Sequence, residues 1–267
     1  MQTVDLQEDI NAVAACGPIK VWSVVVTILG DLLQSEEAWL SGPVLDALVS
    51  RLGINNQALR VAVHRLRRDG WITSEKRGRL SAHQLTAKGW AETEAVRGQI
   101  YGTADTAEAV WLAVGGPNLT AAEFLELLPT HAVALSARSA LGTGTVRPSE
   151  EVLLSKFTPE RVPEWAVTAL VPHELATEYD ALSEAVGRVL AHSTPEGTLE
   201  RTALRLVILH HWRRLRLRHG AVQDAVLPSA VPGARATRLV MPALDRRGWP
   251  RVAWRGRHEG RGQGSGE

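Results

Sequence analysis

The chain has 267 residues, of which 45% are hydrophobic and 22% charged, and its formal net charge is +1. These values are ordinary for a globular protein and allow two or three small domains. No apolar stretch reaches the roughly 18 to 20 residues that would span a bilayer. The first residues are acidic, unlike a secretory signal. Cys16 is the single cysteine, which excludes an intrachain disulfide and a thiolate metal cage. We therefore expect a cytoplasmic protein without a membrane partner.

The near-zero net charge conceals four blocks of alternating sign. Residues 1–50 carry one base and seven acids, whereas residues 51–90 carry nine bases and two acids. Residues 91–200 carry six bases and sixteen acids, and residues 201–267 carry fourteen bases and four acids. A concentrated positive block is typical of a surface that contacts phosphate, so residues 51–90 are the first candidate for nucleic-acid binding.

The N-terminal region predicts two helices and a short strand. Ile19–Leu33 repeats apolar residues with a helical period. Glu37–Ser41 is short and suits a small first strand. A second helix is predicted from about Pro43 to Leu52, because proline is favourable in a first turn. Gly53 ends it, since the tight turn that follows needs a left-handed residue.

A third helix is the most informative element of the sequence. It is predicted to begin at Asn55 or Asn56, either of which can cap it, and to run to about Asp69, with Gly70 as its stop. Residues three or four apart share one face of a helix. The apolar face that this spacing predicts consists of Leu59, Ala62, Val63 and Leu66.

The opposite face of this helix carries the side chains that DNA recognition needs. Arginine pairs bidentately with guanine and glutamine pairs with adenine, so we expect this face to reach base edges in a major groove. The two asparagines are expected to cap the helix and contact phosphate. The predicted DNA-contacting residues of this segment are Asn55, Asn56, Gln57, Arg60, His64, Arg65, Arg67 and Arg68.

A two-stranded hairpin follows the third helix. It is predicted to start at Trp71–Thr73, to turn at Arg77-Gly78 and to return over Leu80–Leu85, before Thr86 caps a helix to about Tyr101. The order helix, turn, helix, hairpin is that of a winged helix-turn-helix. Three bases at the hairpin tip are expected to contact flanking phosphates or a minor groove. These bases are Lys76, Arg77 and Arg79.

Beyond a linker at residues 102–105 the pattern predicts a small α+β unit. Ala109–Val114 and His131–Ser136 are short apolar runs that suit strands, and an amphipathic helix at Thr120–Leu128 lies between them. Ser139–Ser149 is rich in small and turn-forming residues and is predicted to be a loop.

From Pro163 onward the pattern is mainly helical. The last stretch is rich in glycine and arginine, which favours disorder. The chain is thus divided into a DNA-binding domain at 1–101, a middle domain at 105–160, a helical domain at 161–250 and a disordered tail at 251–267.

The sequence resembles the PaaX family of transcriptional repressors. The most specific match runs from Ala58 to Gly89, and a second runs from Leu204 to Gly220. The resemblance implies an α+β fold that is mainly helical, with an N-terminal winged helix-turn-helix, a ferredoxin-like middle domain and a helical C-terminal domain. The middle segment looks short for a complete ferredoxin-like unit. The positions that match the family's helix are Arg60, Ala62, Arg65, Leu66, Gly70 and Trp71.

The resemblance also implies a function. It predicts a homodimeric repressor of a catabolic operon that binds a palindromic double-stranded DNA operator and is released by a small-molecule effector, phenylacetyl-CoA or another acyl-CoA. A basic cluster near the C-terminus is the candidate effector site, with an alternative role as a helix end that pairs with the acidic block at 91–200. Its residues are His210, His211, Arg213 and Arg214. Neither a cofactor nor a metal site is expected.

Two other functional classes remain open. One is a protein–protein adaptor whose winged helix contacts an acidic partner. The other is an enzyme that acts on CoA thioesters through the arginine-rich C-terminal region. An enzyme is disfavoured, because His173-Glu174 lacks the second histidine of a zinc-protease helix and no glycine-rich phosphate loop follows a strand.

Overall fold

The computed structural model describes residues 6–101, 109–147, 149–191, 198–227, 232–246 and 255–256. It is a mixed α and β structure, mainly helical, with two small antiparallel sheets, as predicted at this level. The chain divides into two compact units. The first comprises Met1–Val96, Ala185–His211 and Pro242–Glu267, and the second comprises Arg97–Glu184 and Trp212–Met241. The boundaries predicted from the sequence at 101/105, 160/161 and 250/251 remain predictions.

The N-terminal elements follow the predicted order. The predicted helices and hairpin are confirmed within about two residues, and one helix at the start had not been predicted. The elements are α1 (Leu6–Ala14), α2 (Val21–Leu32), β1 (Trp39–Ser41), α3 (Gly42–Arg51), α4 (Asn56–Arg68), β2 (Ile72–Arg77), β3 (Leu80–Leu85) and α5 (Ala87–Tyr101).

The remaining described elements are a second set of strands followed by helices. None of these helices, nor any earlier one among the described residues, is long and apolar enough to cross a membrane. The elements are β4 (Trp111–Gly115), α6 (Ala121–Glu126), β5 (Val133–Ser136), β6 (Ser139–Gly142), β7 (Val152–Lys156), α7 (Glu164–Leu170), α8 (His173–Ala191), α9 (Thr198–Arg216), α10 (Ala221–Val226), α11 (Pro232–Arg246) and β8 (Arg255–Gly256).

Local signals place the ends of α4 as the sequence predicted. Gly53 and Gly70 both have φ of +73°, in the left-handed region that favours glycine. The Asn55 side chain caps α4 by accepting a hydrogen bond from the Ala58 backbone N–H at 2.8 Å. Thr86 does the same for α5, since its Oγ1 accepts from the Gly89 N–H at 3.0 Å. The turns on both sides of α4 are therefore fixed by short-range contacts.

The first sheet has the strand order β2-β3-β1-β8. The β2–β3 hairpin runs in register from Ile72↔Leu85 to Arg77↔Leu80. Strand β8 pairs antiparallel with β1, with Leu40 opposite Arg255. Arg255–Gly256 belong to the segment that was predicted to be a disordered tail, and the disorder of that tail remains a prediction. The other residues of that predicted tail lie outside the described residues.

The second sheet has the strand order β5-β6-β4-β7, and all of its pairs are antiparallel. The predicted loop at Ser139–Ser149 is wrong at its start, because Ser139–Gly142 forms β6 between β4 and β5. Its small residues carry no apolar run, yet they fit a central strand: Gly142 lies opposite Trp111. A cluster of Trp111, Ala113, Phe124 and Ala140 forms the core under α6.

A buried ion pair joins three separate segments of the first unit. The Arg205 guanidinium on α9 donates to both carboxylate oxygens of Asp31 on α2, at 2.8 and 3.2 Å. It also donates to the Leu244 carbonyl oxygen on α11 at 2.5 Å. Only 3% of the Arg205 side chain and none of the Asp31 side chain is exposed. Water therefore cannot replace either partner.

Breaking this pair from one side should destabilise the protein strongly. We expect Arg205→Met or Asp31→Leu to lower the free energy of unfolding by about 3–5 kcal/mol, because each removes the opposite charge that offsets the burial of the other group. The double variant should lose clearly less than the sum of the two. Urea unfolding measures all three. Arg51→Met is the matched control: its pair with Glu200 at 2.8 Å is partly exposed and should cost at most about 1 kcal/mol. Additive losses in the double variant would contradict the coupling.

Candidate nucleic-acid interface

Helix α4 presents a solvent-exposed basic face. It packs inward through Leu59, Ala62 and Leu66, which are at most 5% exposed. Every α4 residue predicted to contact DNA, and the capping Asn55, is exposed. Residues at spacings of three and four share one side of a helix, so the structure brings Gln57, Arg60 and His64 together on one surface.

The bases of α4 fall into two groups. The Arg65 Nε lies 3.5 Å from Asp69 and its guanidinium stacks over the Trp22 ring, while the Arg68 Nε lies 3.2 Å from the same carboxylate. Arg60, His64 and Arg67 make no ion pair or side-chain hydrogen bond with any residue that the structure describes. Their donors are directed at solvent, which is the state that a base-contacting side chain needs before binding.

The two asparagines at the start of α4 have different partners. Asn55 caps the helix, as predicted. The Asn56 Nδ2 donates to the Asp46 carboxylate on α3 at 2.6 Å, which fixes the angle at which α4 leaves the turn. Both side chains are exposed. Each side chain thus has a hydrogen-bond partner within the protein. Their contact with phosphate remains a prediction.

The hairpin tip carries two free bases rather than three. Lys76 and Arg79 are exposed and have no side-chain partner among the described residues. Arg77 instead lies with its guanidinium 4.9 Å from the centre of the Trp39 ring and 3.7 Å from Glu75, with 26% of its side chain exposed. The cation–π contact draws Arg77 back along the hairpin. Arg77 thus packs on Trp39 of β1, and its contact with DNA remains a prediction.

A surface groove of about 490 Å³ lies between the start of α3, helix α4 and strand β3. Its wall includes Arg60, His64 and Arg67 from α4, and Ser81 and His83 from β3. Neither β3 residue had been predicted to lie at the site, although the period of two in a strand puts them on one face. The groove therefore extends the exposed face of α4 toward the hairpin.

His83 is the buried member of this groove and is only 7% exposed. Its Nδ1 is hydrogen-bonded to the Ser74 hydroxyl at 2.8 Å across the hairpin. Burial first, and the nearby charge of Arg67 second, lower the pKa of His83. The imidazole is therefore neutral at neutral pH and adds no positive charge of its own to the groove.

Known proteins resemble this part of the chain. Residues 20–89 match the family model described as PaaX-like protein. The transcriptional repressor PaaX of Escherichia coli (strain K12) is 33% identical over 98 residues, which span 36% of this chain and 29% of that protein. A solved structure of an uncharacterized protein from Mycobacterium tuberculosis covers 84% of this chain and 95% of that one, at 18% identity and a TM-score of 0.43.

Residues 20–89 are PaaX-like. The resemblance to the PaaX family drawn from the sequence is thereby confirmed over the segment from α2 to the start of α5, which contains every predicted DNA-contacting residue. The 98 residues aligned with the E. coli repressor span under a third of that protein's length. The resemblance of Leu204–Gly220 lies outside the matched family model and remains a prediction.

C-terminal to the PaaX-like segment, helix α9 holds the predicted effector residues. His210 and His211 belong to the first unit and are 2% and 0% exposed. Arg213 and Arg214 belong to the second unit. The Arg214 Nη2 lies 2.5 Å from Glu178 Oε2, so this arginine pairs with the acidic block, as the alternative prediction had it. Arg213 has no ion pair among the described residues, and burial lowers its pKa.

Another group of ion pairs, in the second unit, centres on Asp224. The Arg216 Nη1 donates to its Oδ1 at 2.8 Å, and the His219 Nε2 lies 3.2 Å from the same oxygen. Burial alone would raise the pKa of Asp224. The hydrogen bonds and charges of Arg216 and His219 outweigh that effect and lower the pKa to about 2. The ionised carboxylate is thus part of the folded structure.

This lowered pKa predicts a specific loss of stability in acid. The folded pKa lies below the unfolded value, so the contribution of Asp224 is present above about pH 4 and is lost as the pH falls toward 2. We expect Asp224→Asn to cost about 1–3 kcal/mol at pH 7 and much less near pH 2. Urea unfolding between pH 2 and 7 measures this. Glu174→Gln, at an exposed position of α8, is the control. Equal losses at both ends of the range would contradict the assignment.

Proposed function

We propose that residues 20–101 form a winged helix-turn-helix that binds double-stranded DNA, with α3 and α4 as the helix pair and β2–β3 as the wing. The observation that carries this proposal is the sorting of charges on α4. Asp69 holds Arg65 and Arg68, whereas Arg60, His64 and Arg67 project toward solvent and have no partner in the part of the chain that the structure describes. A helix that leaves its central donors free beside a basic hairpin suits a major groove flanked by phosphates.

We further propose that the chain acts as a transcriptional repressor. The E. coli relative bears that name. The segment that matches the PaaX-like family model contains α4. A homodimer would place two copies of α4 on the half-sites of a palindromic operator, about one helical turn apart. The operon and its operator are part of this proposal.

Different parts of the surface have different roles in this proposal. Gln57, Arg60 and His64 read bases, and the 66% exposed Val61 between them is suited to a thymine methyl group. Lys76 and Arg79 bind phosphate, which positions the wing without reading sequence. Arg77 stabilises the wing through Trp39 instead of contacting DNA.

The proposal extends to the middle of the chain. The strand order β5-β6-β4-β7, with α6 after the first strand, is the order of a ferredoxin-like unit, and a loop stands where its second helix would lie. This supports the three-part family arrangement. The helical C-terminal part is then the place for an effector.

Arg60 is the sharpest test of DNA binding. We expect Arg60→Ala to weaken binding to a selected operator by about 1–3 kcal/mol and to relax specificity at one base pair, because the lost contact is a base contact. Fluorescence anisotropy with an operator selected from random DNA measures both. Arg188→Ala, an exposed arginine on α8, is the matched control and should change nothing.

The salt dependence of the wild type separates DNA binding from its rivals. Contacts to several phosphates require a steep negative slope of log affinity against log salt. A flat slope, or unchanged affinity in the Arg60 variant, would remove α4 from the major groove. An acidic protein partner would then be the better hypothesis.

We propose an acyl-CoA, such as phenylacetyl-CoA, as the effector, with Arg213 contributing to the binding of its phosphates. Arg213 is suited to this because Arg214 is already held by Glu178. Arg213→Ala should bind operator normally but should no longer release it when phenylacetyl-CoA is added. Calorimetry of the wild type with this ligand is the direct measurement. Arg214→Ala is the control. It removes the ion pair with Glu178 and should therefore mainly lower the stability of the protein. No heat with any acyl-CoA would reject this ligand class and leave DNA binding intact.

A further inference from the structure

The second sheet has two edge strands, β5 and β7. Helix α7 packs against β5 at one edge. At the other edge β7 pairs with β4, and no strand among the described residues pairs with its outer side. An unpaired strand presents a row of backbone N–H and C=O groups that can bind another strand. Strand β7 is therefore an open template.

The side chains of β7 are unusually apolar for an exposed edge. Leu153 is 69% exposed and Leu154 is 43% exposed. Val114 on β4 lies directly opposite Leu153 and is 37% exposed, so the apolar surface continues into the sheet. Natural edges are usually protected by proline, bulges or central charges. Within β7 the single charged side chain is Lys156, at the end of the strand.

We infer that β7 is the surface through which two copies of this chain associate, by antiparallel pairing of β7 with β7. Antiparallel self-pairing creates a twofold axis and therefore a closed dimer. The inference gives the proposed homodimer its surface, but it does not depend on DNA binding.

The charges around β7 favour a second copy of the chain as the partner and an antiparallel direction of pairing. Glu150 and Glu151 precede the strand, Lys156 ends it, and all three are exposed. If the axis passes through Leu153, Lys156 of one copy lies opposite Glu150 of the other. If it passes through Leu154, the same two residues are diagonal neighbours, still within reach of each other. Parallel pairing would instead set like charges side by side.

The size of the surface predicts a modest affinity. A five-residue strand pair with its neighbouring side chains buries less than the roughly 1,200 Å² of a standard stable interface. We therefore expect a dimer that dissociates on dilution. Sedimentation velocity over a range of concentrations should detect monomer and dimer in exchange.

Cysteine cross-linking tests the pairing and its register. The chain has one cysteine, so a Cys16→Ser background is free of thiols. Single cysteines are then placed at Val152, Leu153, Leu154 and Ser155. Only a residue on the twofold axis meets itself, so we expect a covalent dimer at Leu153 or Leu154 on adding oxidant. Ala134→Cys, an exposed position on β5, is the control. No cross-link along β7, or equal cross-linking at Ala134, would overturn the inference.

Exchanging the charges at the two ends of β7 gives a result that misfolding cannot produce, because a second exchange should restore the lost dimer. Lys156→Glu should weaken the dimer about tenfold, because it meets Glu150 of the second copy. Adding Glu150→Lys and Glu151→Lys to that variant should restore the dimer. Failure of this rescue would overturn the inferred pairing. Both variants are assayed for DNA binding as well, so a loss of dimer with retained binding to a half-site separates this inference from the proposed function.

Discussion

The buried Asp31–Arg205 ion pair is the constraint on which the first unit depends. It takes one group from α2, one from α9 and a backbone carbonyl from α11, so segments far apart in the sequence share one polar contact. Helix α2 in turn packs against α4. Such a pair contributes little net stability compared with apolar residues, but it tolerates few alternative arrangements. Its effect is to fix α2, and through α2 the base of α4, the helix proposed to contact DNA.

The same electrostatic logic sorts the exposed bases. Each acid near the basic block holds some cations and leaves others free: Asp69 holds Arg65 and Arg68, and Glu75 with Trp39 holds Arg77. An exposed ion pair is weak, so a paired cation gives up only a small contact to reach DNA, whereas a free cation gives up none. A count of positive residues in the sequence does not show which of them are free.

The PaaX-like segment was the part of the fold that the sequence predicted best, because its signals are local. Gly53, Asn55, Gly70 and Thr86 each set a turn or a cap through contacts within a few residues. Strands β6 and β7 were missed because their residues become strands only through pairing with β4, a long-range contact. Likewise, no local sequence pattern predicts that Arg77 packs on Trp39 or that His83 lines the groove.

The division of the chain into units was beyond local reasoning for a related reason. The first unit is assembled from three separate stretches of sequence and the second from two, so no linker composition marks where either ends. The histidines and arginines of α9 look like one cluster in the sequence, but the unit boundary falls between His211 and Trp212. His210 and His211 are buried in the first unit, whereas Arg214 forms an ion pair with Glu178 in the second. Adjacency in sequence is thus weak evidence for a shared site, and Arg213 has to be judged by its own surroundings.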